Sequence, residues 1–170
     1  ENKPTRLQQK LKRWQAYVEQ HPNGWKKRLA LAEVLYFMGR WEEAIDAYQQ
    51  VLAKQLGLLE VSLRVGHMLH LLERKKEAIE VYQNAFSQAY QPASKYHLHG
   101  LIARLSQQDE AAVTSFEAAI ALDPQNPLHW HQLGQLHLER EAFDAAWHAF
   151  DAALALNPND LVALSDSYQP

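Results

Sequence analysis

Nine histidines are the side chains best placed to do chemistry in this 170-residue chain, and several stand close together. Neutral imidazole is a common metal ligand, and its charge changes nearest to neutral pH. His97-Leu98-His99 and His129-Trp130-His131 have the look of ligand pairs, yet residues two apart on a helix face different directions. His67 and His70 are three apart and can share a helix face. Zinc needs three or four ligands at fixed geometry, and these pairs do not supply them, so no metal and no cofactor is expected. His99 and His137 are instead expected as satisfied interior histidines, and His129 and His148 as solvated ones. Neutral imidazoles buried at 99 and 137 would make acid destabilising.

Other catalytic chemistry is equally thin. There is no cysteine, which removes disulfides, thiolate zinc sites and thiol nucleophiles. No Gly-rich phosphate loop, Ser-centred elbow or His-Glu-x-x-His pair occurs. The acids Glu42, Glu43, Glu77, Glu80 and Asp144 fall where solvated helix faces are expected. The chain is not expected to be an enzyme.

The elements that must position these residues are helical. Leu, Ala, Gln, Glu and Lys dominate the composition, and only six glycines are present. No apolar run approaches the roughly 18 residues of a membrane span, so no membrane insertion is expected. No signal-like apolar stretch opens the sequence, and a cytoplasmic location is the default expectation. The net charge of −3 is unevenly spread. Residues 1–40 carry nine bases and three acids, whereas residues 105–170 carry ten acids and one base. That acidic half disfavours nucleic acid as a partner.

Shifting the chain by 34 residues brings columns into line without any insertion from 25 to 160. Ala44, Ala78, Ala112 and Ala146 form one column, and Tyr48, Tyr82, Phe116 and Phe150 another. Ala32, Gly66, Gly100 and Gly134 are all small; Val51, Ala85, Ala119 and Ala153 follow. Each period holds two helical stripes. In the last, Leu133 and Leu136 belong to the first, and Phe143, Trp147, Phe150 and Leu154 to the second. The small residues let paired helices approach, and the aromatic at Tyr48, Tyr82, Phe116 or Phe150 fills the space beside them. Asp123-Pro124 and Asn157-Pro158 stop second helices, and Gly39 opens the first turn.

These columns resemble the tetratricopeptide (TPR) family. Trp130, Leu133, Gly134, Phe143, Ala146, Phe150, Ala153 and Pro158 are the clearest copy of its pattern. The resemblance implies an all-α solenoid of four antiparallel helix pairs in a right-handed superhelix, with an extra N-terminal helix. A single TPR domain over 1–170 is expected. It divides into an N-terminal half repeat at 5–21, repeats at 25–58, 59–92, 93–126 and 127–160, and the start of a further helix at 161–170. Both ends read as unfinished, as in a piece of a longer protein or a chain that associates end to end.

The family's first helices line a concave groove, which implies a set of groove residues here. They are Leu29, Glu33, Tyr36 and Phe37 in the first repeat, and Leu63, Arg64, His67, His70 and Leu71 in the second. His97, Leu98, Leu101, Arg104 and Leu105 follow in the third, then His131, Gln132, Gln135 and Leu138 in the fourth. The middle of this groove is apolar, which suits an extended peptide or amphipathic helix with two or three apolar anchors. One TPR subclass grips chaperone C-terminal carboxylates with a cationic clamp. The corresponding positions here are Leu29, Glu33, Arg64, Ser94 and Leu98, or Leu63, His67, Leu98, Leu128 and Gln132, so no such grip is expected.

The leading expectation is therefore a protein-protein interaction scaffold whose partner is another protein. The alternatives are a docking or regulatory arm of a larger enzyme, of glycosyltransferase or methyltransferase type, and a head-to-tail homo-oligomer joined through the charge gradient.

Overall fold

The computed structural model describes residues 3–157. The predicted further helix at 161–170 and the Pro158 stop lie outside the described residues. The nine elements found among the described residues are all helices: α1 (Arg6–Gln20), α2 (Trp25–Phe37), α3 (Trp41–Lys54), α4 (Leu59–Leu71), α5 (Lys75–Gln88), α6 (Pro92–Leu105), α7 (Asp109–Leu122), α8 (Pro127–Glu139) and α9 (Phe143–Leu156). The chain adopts the expected all-α helical-repeat architecture. None of the described helices is long and apolar enough to cross a membrane.

The helices group into two compact units, one ending at Val81 and one starting at Tyr82, with the division inside α5. In unit one, α1 begins in a capping box: the Gln8 amide donates to the Thr5 hydroxyl at 3.3 Å, and the Thr5 amide donates to the Gln8 side chain at 2.8 Å. Leu11 and Val18 are the buried residues of α1, which packs on α2. The α2–α3 hairpin buries Leu31, Ala32, Val34 and Leu35 against Ala44, Ile45, Tyr48 and Val51. Val65, Met68 and Leu69 extend that core from α4.

Unit two repeats the scheme with α6–α7 and α8–α9 hairpins. Pro92 and Pro127 start α6 and α8, where the missing N–H costs nothing. The Asn126 side chain accepts from the Leu128 amide at 3.1 Å. Helix α7 stops at Leu122, ahead of the Asp123-Pro124 signal. A ring carbon of Phe116 lies 2.6 Å from where a Cβ on Gly100 would be, and Phe150 lies 2.8 Å from the same point on Gly134. These close approaches are what the small and aromatic columns foretold.

The turns inside the hairpins share one geometry at the period of 34. Gly39, Glu73, Gln107 and Glu141 all have φ between 58 and 72°. In each case the next amide reaches back five residues: Arg40 to the Leu35 carbonyl at 2.9 Å, and Arg74, Gln108 and Ala142 to Leu69, Ala103 and His137 at 2.8 Å. This is a helix C-terminus closed by one left-handed residue, which satisfies carbonyls that would otherwise be orphaned. Glycine occupies that position only at the first turn.

Candidate functional site

In unit one the groove residues sit on α2 and α4 around an ion pair. The Arg64 guanidinium donates to both Glu33 carboxylate oxygens, at 2.6 and 2.5 Å, and to the Tyr48 hydroxyl at 3.1 Å. It also lies 5.1 Å from the Tyr36 ring centroid, close enough for a cation–π contact. Burial pushes the Tyr48 phenol up to about 12, against the opposing pull of Arg64, so it remains a neutral hydroxyl. Tyr36 in turn stacks on Trp41 at 6.5 Å and meets Phe37 edge-on at 5.5 Å. Around this cluster Leu29, Leu63, His67 and His70 are half-buried. Phe37 is 75% exposed and Leu71 52% exposed. Each is the last residue of its helix, α2 or α4.

In unit two the corresponding residues are mostly covered. His97, Leu98, Leu101 and Leu105 are buried, while His131, Gln132 and Gln135 are half-buried and Leu138 is exposed. Arg104 on α6 ties α8 to it. Its Nε donates to Glu139 at 3.0 Å, and its Nη1 donates to Gln132 at 3.0 Å and to Gln135 at 3.5 Å. His131 stands 5.6 Å from the Phe150 ring.

The histidines require a correction. His129, expected in solvent, is buried, and His99, expected inside, is exposed. His99 reaches the hydroxyl of buried Ser115 at 2.7 Å from the rim, so a polar ring at a usually apolar column keeps both a partner and water. His137 is half-buried and His148 exposed. The buried imidazoles are His97 and His129, whose Nδ1 atoms lie 2.8 Å apart. Burial, with His129 beside it, lowers His97 to about 3. Burial also lowers His129, against the raising effect of Asp123, whose Oδ2 is 3.6 Å from His129 Nε2. Among the described residues, no group of three or more His, Cys, Asp or Glu is arranged to hold a metal ion.

Sequence reasoning also missed two ion pairs across helices. Glu42, which stays exposed as expected, meets Arg74, and Glu110 meets Arg140, while Glu77 pairs with Arg74 three residues before it. Unlike charges about 30 residues apart in a chain of 34-residue period were the available signal.

Comparison with known proteins agrees with this architecture. A tetratricopeptide repeat profile matches residues 29–95, and a TPR repeat profile matches residues 100–140. No curated protein matches the chain in sequence. Among solved structures, a thermophilic TPR protein of Thermus thermophilus is 20% identical, with a TM-score of 0.68 over 92% of this chain and 86% of that one. MamA 41-end from Desulfovibrio magneticus RS-1 is 20% identical, with a TM-score of 0.63 over 91% and 87%. YrrB, described as a TPR protein with an unusual peptide-binding site, is 18% identical, with a TM-score of 0.59 over 96% and 84%.

Proposed function

The chain belongs to the tetratricopeptide repeat family, whose repeats serve as protein-interaction scaffolds, and from that premise we propose that it seats a peptide or amphipathic helix of another protein on the α2–α4 face of unit one. The observation that carries the reading is the pair of large apolar side chains, Phe37 and Leu71, left in water at equivalent ends of two first helices. Burying such side chains under a partner contributes roughly 1.5–3 kcal/mol each. The Arg64 charge over the Tyr36 ring is already met by Glu33. The face therefore favours apolar anchors over a free carboxylate. An amphipathic helix offers such anchors three or four residues apart. YrrB's described peptide-binding site supports the same use of a similar fold. TPR arrays are typically non-catalytic, and this chain is read in the same way.

The test is a peptide-display selection on the immobilised protein. Winning peptides should carry two apolar anchors at helical spacing and should be lost on Phe37→Ala. Enrichment of peptides indifferent to Phe37 and Leu71 would reject the site.

A second reading, self-association, is favoured by the charge division. Unit one holds fourteen bases and ten acids, and unit two three bases and ten acids, for nets of +4 and −7. On α9, Phe143 and Trp147 are 64% and 70% exposed, with Asp144 and Asp151 on the same helix. On α1, Leu7 and Tyr17 are exposed among Arg6, Lys10, Lys12 and Arg13. The acidic helix of one copy meeting the basic helix of another would pair charges and cover both apolar sets.

A further inference from the structure

Unit two holds a buried, hydrogen-bonded pair of imidazoles with a carboxylate close by, which neither reading above uses. His97 on α6 and His129 on α8 meet Nδ1 to Nδ1 at 2.8 Å, tilted against each other with ring centroids 4.9 Å apart. The edge of Phe116 on α7 closes over His97 at 5.6 Å. Asp123, at the α7 C-terminus, stands 3.6 Å from His129 Nε2 and is itself held by the Asn126 side chain at 3.2 Å. From α6, α7 and α8, the titratable groups that act on this pair are the two rings themselves and Asp123.

Geometry assigns the protons. His129 Nε2 is buried without a hydrogen-bond partner among the described residues, and the Asp123 carboxylate 3.6 Å away favours the proton on that nitrogen by its charge. The Nδ1 of His129 is then bare and accepts the Nδ1–H of His97. One added proton can be taken up on His129, stabilised by Asp123, if His97 changes tautomer to accept in return. A second cannot, because two Nδ1–H groups would then face each other at hydrogen-bond distance. We propose that the His97–His129 pair is an acid-sensitive latch between α6 and α8. At neutral pH it joins the two helices in addition to the Arg104 bonds, and in acid it opens and loosens α8 from α6.

The direction follows from proton counting. An unfolded chain binds a proton at each histidine near pH 6.5, whereas the folded pair resists the second. Stability is therefore complete above about pH 6.5 and is lost progressively as pH falls below it.

The test is hydrogen exchange of the full chain, read by mass spectrometry at pH 7.5 and 5.0 and corrected for intrinsic rates. Amides of α8 should exchange at least ~tenfold faster at pH 5.0, one proton per pH unit being a factor of ten, while α2 and α3 serve as the internal reference. The double variant His97→Leu, His129→Leu should lose that acid response, and Asp123→Asn should enlarge it by withdrawing the charge that supports protonated His129. Unchanged α8 exchange in the wild type, or an equal acid response in the double variant, would overturn the latch. If the double variant does not fold, nitrogen NMR of the wild-type rings decides. The Nδ1–H tautomer at His97 and no titration of that ring above pH 5 are expected; titration of both rings near 6.5 in the folded protein would refute the proposal.

Discussion

Phe116 lies flat against Gly100, its ring 2.6–2.9 Å from where a Cβ would stand, and it is fully buried there. Gly100 belongs to α6 and Phe116 to α7, so the contact sets how closely that hairpin closes. A methyl group cannot enter without moving a ring that has no free side. Gly100→Ala should therefore cost roughly 1–3 kcal/mol, the usual range for overpacking a core. Urea unfolding checks this, and Gly134→Ala, facing Phe150, should lose a comparable amount. A loss below about 0.5 kcal/mol, within the range of ordinary surface substitutions, would mean that the ring swings aside.

The hairpin turns give a prediction of the opposite sign. Gln107 is held at φ 59°, where a side chain costs about 1–2 kcal/mol. Gln107→Gly should relieve that strain, less the extra chain entropy glycine brings to the unfolded state, for a net gain of up to ~1 kcal/mol. Gly39→Ala should lose a similar amount, since Gly39 has φ 72° although nothing lies within 4 Å of its Cβ position. Thermal midpoints of the two variants should move in opposite directions.

The unequal fate of these features shows what a sequence of this kind reveals. The small column at Gly100 and the aromatic column at Phe116 were legible because helix pairing demands matched volumes at fixed spacing. The turn was legible at Gly39 alone, because Glu73, Gln107 and Glu141 adopt the same conformation with residues that do not advertise it. The histidines were misplaced because periodicity reports which face of one helix is apolar. It does not report that rings at 97 and 129, on different helices, meet head to head. The exposure of Phe37 beside the burial of Leu105 at the equivalent position was invisible for the same reason. Neighbouring helices decide it, and the spacing within one helix does not.

Self-association through opposed charges would be sensitive to salt, because the Debye length falls from about 10 Å at 0.1 M to about 3 Å at 1 M. Size exclusion with light scattering at low salt should then show a species larger than the 19.6 kDa monomer that dissociates at high salt. Trp147→Ala should weaken it at low salt. A monomer under both conditions would remove this reading and leave the groove reading untouched.

The measurement that bears most directly on the central claim compares captured partners. Wild-type protein, the variant Phe37→Ala with Leu71→Ala, and a control changed at exposed Glu117 on α7 would be used to recover proteins from the same extract. All three should remain folded, because Phe37 and Leu71 are 75% and 52% exposed, and thermal unfolding of each variant checks this. A partner should be held by the wild type and the control and lost from the Phe37/Leu71 variant, with a selected peptide competing it away. Retention of every partner by the Phe37/Leu71 variant would remove the α2–α4 face as the docking site.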